Sequence, residues 1–266
     1  MKEGIFNISN ETYHADEGYS SSQVKKALKS MGHLGVKIKQ TDSMILGTAV
    51  HTFILEGDKK FYSEFAVSPK FDKRTKQGKA DSLAFNIEAD GKQVITEDKF
   101  DKIRRMSDSF YDHPIASNLL LNGMAEQSIY YIDEETGLQC KVRPDYLSDY
   151  IVDLKTSASA DPSEFSKTCA NFGYHISAAM YMDGVRQTLE RVPTAFYFIV
   201  VENQEPFTTE VFVASSEMLE FGHSQYRKGL ERIRAYDEGL IDDSYSNGKV
   251  NDLNLPKWAY YVSDNS

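Results

Sequence analysis

The chain has 266 residues, of which 41% are hydrophobic and 26% are charged, and its formal net charge at pH 7 is −10. This composition is ordinary for a soluble globular protein that buries a sizeable core. The negative charge argues against a protein that coats DNA without an ion. It does not exclude a nuclease, because bound divalent cations reverse the sign of an acidic site.

The chain has two cysteines, Cys140 and Cys169. They are too few for a disulfide framework, a protein-held iron–sulfur cluster or a four-cysteine zinc site. Residues 1–7 lack the apolar run of a signal peptide, and no stretch approaches the ~18 uninterrupted apolar residues of a membrane span. We therefore expect a cytoplasmic protein with no membrane partner, in which both thiols are packing residues.

Three segments in the first half of the chain predict helices. Serines at residues 20–22 fit the N-cap of a short helix, and residues 44–55 are apolar nearly all round, which predicts a buried helix. Residues 100–121 have a helical period that Pro114 breaks. Residues 70–79 contain five basic residues against one acidic and no apolar period, which predicts a loop or a mobile arm.

From Ala125 onwards, strands and helices are both predicted, and the first three strands form a meander. The predicted strands are 127–132, 138–147, 150–154, 194–201 and 207–213. The predicted helices are 162–172, 174–189 and 215–240. This order predicts an α/β fold with a mixed central β-sheet flanked by helices. Since no linker or repeat interrupts it, we expect one domain over residues 1–266, with a helical part to about 124 and a catalytic sheet core at about 125–240.

The most informative pattern is a Pro-Asp pair at 144–145 followed by Asp-Leu-Lys at 153–155. Residues i and i+2 of a strand point the same way, so Asp153 and Lys155 share a face while Leu154 packs behind. If the strands that carry Asp145 and Asp153 pair as a hairpin, the two carboxylates lie side by side. Such carboxylates repel unless a cation lies between them, and hard oxygen ligands suit Mg²⁺, with Mn²⁺ as a substitute.

This residue set fits the hydrolysis of a phosphodiester. The reaction needs an activated water, a Lewis acid at the phosphate and stabilisation of the leaving oxygen. Lys155 would orient or help to deprotonate the water and neutralise charge on the phosphorus oxygens. A lysine at the wet end of an apolar strand is also explained as an edge charge, so Asp-x-Lys alone is weak support.

In context, the pattern resembles the core of the PD-(D/E)XK nucleases. Gly47 and His51 resemble the Gly-x-x-x-His motif of the RecB-like branch and share one helical face, with Gly47 leaving room for His51 to reach the metal. Glu126 stands where such nucleases often carry an extra acid. Without the resemblance, His51 would be read as a satisfied core histidine and Glu126 as a surface glutamate.

A resemblance to the RecE-type exonucleases runs along almost the whole chain. It rests on the segments 8–14, 20–23, 46–51, 174–184 and 255–259. It implies a Mg²⁺-dependent, ATP-independent 5′→3′ exonuclease on linear double-stranded DNA that leaves 3′ single strands for recombination by strand annealing. It also implies a ring-shaped homotetramer, a RecT-like single-strand annealing protein as partner, and a phage or prophage gene expressed in the cytoplasm of a bacterial host.

The same resemblance implies roles for individual residues. The metal ligands would be His51, Asp145, Asp153 and the Leu154 carbonyl. Lys155 would be the catalytic lysine and Glu126 an additional acid. Tyr181 would contact DNA near the scissile phosphate, although a packing role explains it equally well. The chain departs from the family at Ser177, which replaces the glutamine of a Gln-x-x-x-Tyr motif and puts DNA contacts from that position in doubt.

Further phosphate contacts are predicted at a helix start and at two arginines. Residues 20–23 offer free backbone N–H groups and hydroxyls at the positive end of a helix dipole. We therefore expect Ser20, Ser22 and Gln23 to hold a 5′-terminal phosphate, although a simple N-cap explains the same residues. Arg74, in the basic segment 70–79, and Arg143 are the candidate arginines, although charge runs are usually only solvated.

Three other functions remain open on the sequence alone. A RecB-like nuclease for single strands or particular DNA structures would share the core motifs, and only linear and closed circular substrates would separate the two. A catalytically inactive DNA-end-binding module would not be required to keep the whole acidic and basic set intact. A protein that merely binds Ca²⁺ would need a ligand loop like that of an EF-hand, which the sequence lacks.

Overall fold

Two long apolar segments pair to form the centre of a mixed β-sheet. In this computed structural model, which describes residues 2–260, Ile151–Ser157 runs parallel to Phe196–Glu202 along its full length. Thr209–Val213 pairs antiparallel on one side, and Tyr146–Leu147 followed by Met124–Ala125 completes the sheet on the other. Helices cover this sheet, so the predicted α/β class is confirmed.

Strands and helices are numbered along the chain. The strands are β1 (Gly4–Phe6), β2 (Phe65–Ser68), β3 (Gln93–Thr96), β4 (Met124–Ala125), β5 (Ser128–Ile132), β6 (Gln139–Val142), β7 (Tyr146–Leu147), β8 (Ile151–Ser157), β9 (Phe196–Glu202) and β10 (Thr209–Val213). The helices are α1 (Asn10–Ala15), α2 (Ser21–Ala27), α3 (Asp42–His51), α4 (Gly57–Glu64), α5 (Lys76–Glu88), α6 (Glu97–Asp112), α7 (Pro114–Asn118), α8 (Pro162–Phe172), α9 (Tyr174–Leu189), α10 (Ser216–Asp237) and α11 (Lys257–Tyr260). Between residues 2 and 260, no helix is both long and apolar enough to cross a bilayer.

Alternation along the central strands places two hydrophobic clusters on opposite sides of the sheet. Ile151 of β8 packs into the cluster that contains residues of α2, α9 and α10, whereas Val152 and Leu154 pack into the cluster that contains residues of α3 and α6. Because residues i and i+2 of a strand point the same way, Asp153 and Lys155 lie on the side of α2 and α9. Side chains of β8 therefore face both layers of helices, and the predicted acidic site can receive residues from either layer.

The expected three-stranded meander is wrong. Residues 138–147 do not form one strand but divide into β6 and β7, and these two strands belong to different sheets. β6 joins β5 and β1 in a three-stranded antiparallel sheet, whereas β7 joins the central sheet. Pro144 lies in the break, where its missing N–H removes a donor that a continuous strand would use.

The first half of the chain also differs from the sequence-based expectation. The buried helix predicted at 44–55 forms α3 and then passes into a π-helical segment, Thr52–Glu56. The basic segment 70–79 is not wholly a loop, because α5 begins within it at Lys76, with Thr75 as the N-cap. The strands β2 and β3 form a separate parallel pair that the sequence pattern did not predict. The division of the single domain near residue 124 stays a prediction.

The close contact between α9 and α10 gives a prediction about stability. A Cβ built at Gly222 of α10 would lie 2.0 Å from the backbone oxygen of His175 in α9. We expect Gly222→Ala to lower the free energy of unfolding by about 1–3 kcal/mol, because this overlap outweighs the gain in helix propensity. Urea unfolding of the wild type and of Gly222→Ala measures this change in the free energy of unfolding. Gly35→Ala is the control, since a Cβ there meets nothing within 4 Å; equal stability of the two variants would contradict the packing argument.

Candidate active site

The Pro-Asp and Asp-Leu-Lys segments do meet at a hairpin. β7 pairs antiparallel with β8, with Tyr146 opposite Val152, so the next position along the register places Asp145 opposite Asp153. The Asp145 Oδ2 atom accepts a hydrogen bond from the Leu154 N–H at 2.7 Å. The side chain of Asp153 lies next to that of Asp145, and its negative charge acts on it. The hairpin thus holds the two carboxyl groups in contact, as the sequence predicted.

His51 reaches this hairpin from the last position of α3. Its Nδ1 atom lies 3.5 Å from Asp145 Oδ2, and its imidazole lies next to the backbone of Leu154. Burial lowers the pKa of His51, and the positive charge of Lys155 lowers it further. The neutral imidazole is the form that ligates a metal ion. The π-helical segment begins directly after His51, and such segments often occur at functional sites.

Glu126 is brought to the same place by a backbone contact. Its N–H donates to the Asp145 carbonyl at 2.9 Å, and its carboxylate accepts from Arg143 Nε at 2.7 Å. The φ angle of Glu126 is 54°, in the left-handed region that non-glycine residues seldom occupy. Backbone strain of this kind is often found at functional sites, where the surrounding contacts hold it in place.

These three side chains form a set of potential metal ligands. One donor atom each from His51, Glu126 and Asp145 lies within 4.8 Å of the other two. Burial, followed by repulsion from Asp145, raises the pKa of Glu126 to about 7. Burial, followed by repulsion from Asp153, raises the pKa of Asp145 to about 8. Carboxylates that repel one another beside an imidazole suit a hard divalent cation, and the residues therefore fit a metal site.

Lys155 lies beside the acids as the sequence predicted. Its Nζ atom is 2.5 Å from Asp153 Oδ2, and it lies 5.1 Å from the centre of the Tyr174 ring. Burial alone would lower the pKa of Lys155, but the charges of Asp153 and then Asp145 outweigh it and hold that pKa above its usual value. Lys155 is therefore a positively charged group fixed at the edge of the acidic cluster.

A cleft of about 420 Å³ opens onto the cluster. Its walls include His51, Glu126, Asp145 and Tyr181. Gly47 also lines it, and a Cβ added there would meet only Thr156 Oγ1, at 3.5 Å. A side chain of one carbon would thus fit at this position, so close packing does not explain the predicted need for glycine beside His51.

The structure does not bring the predicted phosphate contacts into this cleft as a group. Ser20 and Gln23 hydrogen-bond to each other in a capping box, and Ser22 is exposed on the helix surface. Arg74 is exposed and bonds to the neighbouring Asp72. Arg143 does line the cleft, but it is only partly exposed and already donates to Glu126, the Ile8 carbonyl and Ser128. Their roles in phosphate binding stay predictions.

Two residues that the sequence analysis did not single out lie close to the site. Lys25 of α2 donates from Nζ to Ser177 Oγ at 3.0 Å, and the hydroxyl of Ser177 is 3.2 Å from that of Ser21. Ser21 in turn lies next to the Tyr181 side chain. The signal in the sequence was the spacing, because Ser21 and Lys25 are four residues apart and share a helical face.

Comparison with known proteins gives two findings. Residues 20–251 match the family model of the PDDEXK-like domain of unknown function (DUF3799). The fold is similar to the crystal structure of a protein from Eubacterium rectale described as a "putative exonuclease", with a TM-score of 0.61 and 15% identity over 96% of this chain and 98% of that one. No curated protein matches the sequence.

The raised pKa of Asp145 gives a prediction about pH. The pKa of this carboxyl group is about 8 in the folded protein, whereas its ordinary value is 3.8. The protonated carboxyl group therefore contributes stability that is fully present below the unfolded-state pKa. This stability is lost as the pH rises through the folded-state pKa. In a chelating buffer, we expect the melting temperature of the wild type to fall over this window more steeply than that of Asp145→Asn.

The control for this prediction is Asp149→Asn, because Asp149 lies on the same hairpin but is exposed and pairs with Arg191 at the surface. It should follow the wild-type curve. Adding Mn²⁺ should raise the melting temperature of the wild type most at high pH, where the carboxylates are free of protons. Parallel curves for the wild type and Asp145→Asn would contradict the assignment of the raised pKa to this residue.

Proposed function

Because this chain belongs to the PDDEXK-like family, we propose that it is a deoxyribonuclease that requires a divalent metal ion. The observation that carries the proposal is the position of Lys155. A half-buried lysine paired with Asp153 lies next to an acid cluster made by His51, Glu126 and Asp145. Carboxylates that would hold a cation and a lysine that stays positively charged are what phosphodiester hydrolysis needs in one place.

Each group has a distinct task in this proposal. His51, Glu126 and Asp145 would hold the ion, with Asp153 and the Leu154 carbonyl completing its shell. When bound, the ion supplies a Lewis acid for the phosphate group. Lys155 positions the attacking water and neutralises charge that develops on the phosphorus oxygens. Asp153 fixes the Lys155 ammonium in place by their ion pair, and the cleft walls limit the bulk water that reaches the phosphate.

We further propose the finer activity that the RecE-type resemblance implies. The substrate would be linear double-stranded DNA, digested 5′→3′ with Mg²⁺ and without ATP, and Mn²⁺ would substitute. The product would be a 3′ single strand for a RecT-like annealing protein, and the enzyme would work as a ring-shaped homotetramer. The motifs at residues 8–14, 46–51 and 255–259 support this version, as does the description of the Eubacterium rectale protein.

One assay tests the substrate and the direction of digestion. Purified protein with Mg²⁺ is incubated with linear duplexes that carry a label at the 5′ or the 3′ end, beside a closed circular duplex. We expect early release of 5′-labelled mononucleotides, late loss of the 3′ label and an intact circle. Cleavage of the circle would instead favour a RecB-like nuclease that cuts single strands or particular structures. Binding without any cleavage would favour an inactive end-binding module.

Two substitutions test the chemistry. We expect Lys155→Ala to retain DNA binding but to lose activity by about 10²–10⁴-fold, the usual contribution of such a group. Asp153→Ala should lose both metal affinity and turnover, because it removes a carboxylate from the centre and leaves Lys155 without its partner. Single-turnover digestion and calorimetric titration with Mn²⁺ measure the two effects.

Matched controls are available on the surface. Lys167→Ala removes an exposed lysine that pairs with Glu164 on α8, and Asp149→Ala removes the exposed carboxylate that pairs with Arg191. Exposed ion pairs contribute little to stability, so both controls should fold normally and keep full activity. Wild-type turnover in Lys155→Ala or Asp153→Ala would overturn the proposed centre.

A further inference from the structure

Lys25 is a second lysine directed towards the proposed active site, from a different element. It lies on α2, and its Nζ atom donates to Ser177 Oγ at 3.0 Å and to the Phe172 carbonyl at 3.3 Å. The charges of Lys155 and Asp153 both act on it. Lys25 and Lys155 therefore approach one region of the protein, the first from α2 and the second from β8.

The stem of Lys25 is held by the junction between α8 and α9. A Cβ at Gly173 would lie 2.9 Å from Lys25 Cδ, so the side chain passes closely over this glycine. The next residue, Tyr174, lies beneath the Lys155 ammonium. Consecutive residues of one helix junction thus position both lysines. Ser177, one turn further, is short enough to leave space for the Lys25 ammonium that a glutamine there would reduce.

Lys25 has an environment that does not favour its charge. Burial, followed by repulsion from Lys155, lowers the pKa of Lys25 to about 8. Among the residues 2–260, no carboxylate forms an ion pair with Lys25, and its partners are a hydroxyl and a carbonyl. A partly desolvated ammonium without a counter-ion costs free energy that an approaching anion would recover.

We propose that Lys25 is a substrate-binding residue whose ammonium binds a phosphate of the DNA strand, next to the phosphate held at the Asp145–Lys155 centre. This inference rests on the proposed nuclease function and adds a contact to it. Polar groups adjoin the ammonium, since Ser177 Oγ accepts from Lys25 Nζ at 3.0 Å and donates to Ser21 Oγ at 3.2 Å. A strand of DNA presents its phosphates in a regular series, so a nuclease that grips one phosphate meets the next at a fixed spacing.

A structural role is the competing explanation. The Phe172 carbonyl is at the C-terminal end of α8, where a lysine can cap the last carbonyl groups. The two roles differ in what they require. Capping needs only a hydrogen-bond donor, which a glutamine side chain also supplies. Phosphate binding in the proposed manner needs the positive charge.

The test measures the salt dependence of DNA binding rather than turnover. A fluorescent linear duplex is titrated with the wild type, Lys25→Gln, Lys25→Arg and Lys26→Gln at several salt concentrations, with Ca²⁺ in place of Mg²⁺. The slope of log affinity against log salt falls by about 0.9 for each phosphate contact that is lost. Lys26→Gln is the matched control, because Lys26 is the neighbouring lysine on α2 and donates to the Val36 carbonyl at the surface.

We expect Lys25→Gln to lower the slope by about 0.9, the contribution of one phosphate contact. Lys25→Arg and Lys26→Gln should keep the wild-type slope. Melting temperatures show whether each variant folds, and Lys25→Met replaces Lys25→Gln if the latter does not. A wild-type slope in Lys25→Gln, with normal binding and cleavage by the wild type, would overturn the role of Lys25 alone. Absence of DNA binding and cleavage in the wild type would remove the proposed nuclease function, and this inference with it.

Discussion

The hydrogen bond from the Leu154 N–H to Asp145 joins the two halves of the acidic motif, and the rest of the site depends on it. It fixes the carboxyl group of Asp145 against β8, so that Asp153 lies beside it and the Leu154 backbone meets His51. Glu126 is tied to the same residue through the Asp145 carbonyl. One aspartate at a hairpin end thus collects ligands from α3, from the segment before β5 and from β8.

This arrangement concentrates negative charge where burial makes it costly. The pKa values of Glu126 and Asp145 are both raised, because burial and then repulsion from a neighbouring carboxylate, Asp145 for Glu126 and Asp153 for Asp145, oppose their ionisation. Hydrophobic clusters on both sides of the central sheet supply the stability that keeps these groups together. Such a site is poised to bind a cation, since ionisation becomes favourable only when a positive charge arrives. Lys155 supplies part of that charge from within the chain.

Much of the fold could be predicted from local patterns. The capped helix at Ser20, the helices α8 and α9 and the buried strand β9 formed where the sequence placed them. The errors arose where the chain leaves one sheet for another. Residues 138–147 have a continuous strand pattern, yet Pro144 interrupts the ladder, and β6 and β7 pair with different neighbours. A periodic pattern shows that a segment can be a strand, but not which sheet accepts it.

The sequence by itself indicated the PD-(D/E)XK superfamily through the resemblance of its motifs. It also indicated that Asp153 and Lys155 share a face and that a hairpin would bring Asp145 beside Asp153, because strand periodicity and a short hairpin act over a few residues. The family match to residues 20–251 agrees with that membership. The resemblance named His51 and Glu126 as site residues, but only the tertiary structure decided how these distant residues reach the hairpin and that Lys25 lies near it. His51 and Lys25 arrive on helices packed against opposite sides of the sheet, and Glu126 arrives through a strained backbone turn. Such contacts depend on how whole elements pack, which no local pattern encodes.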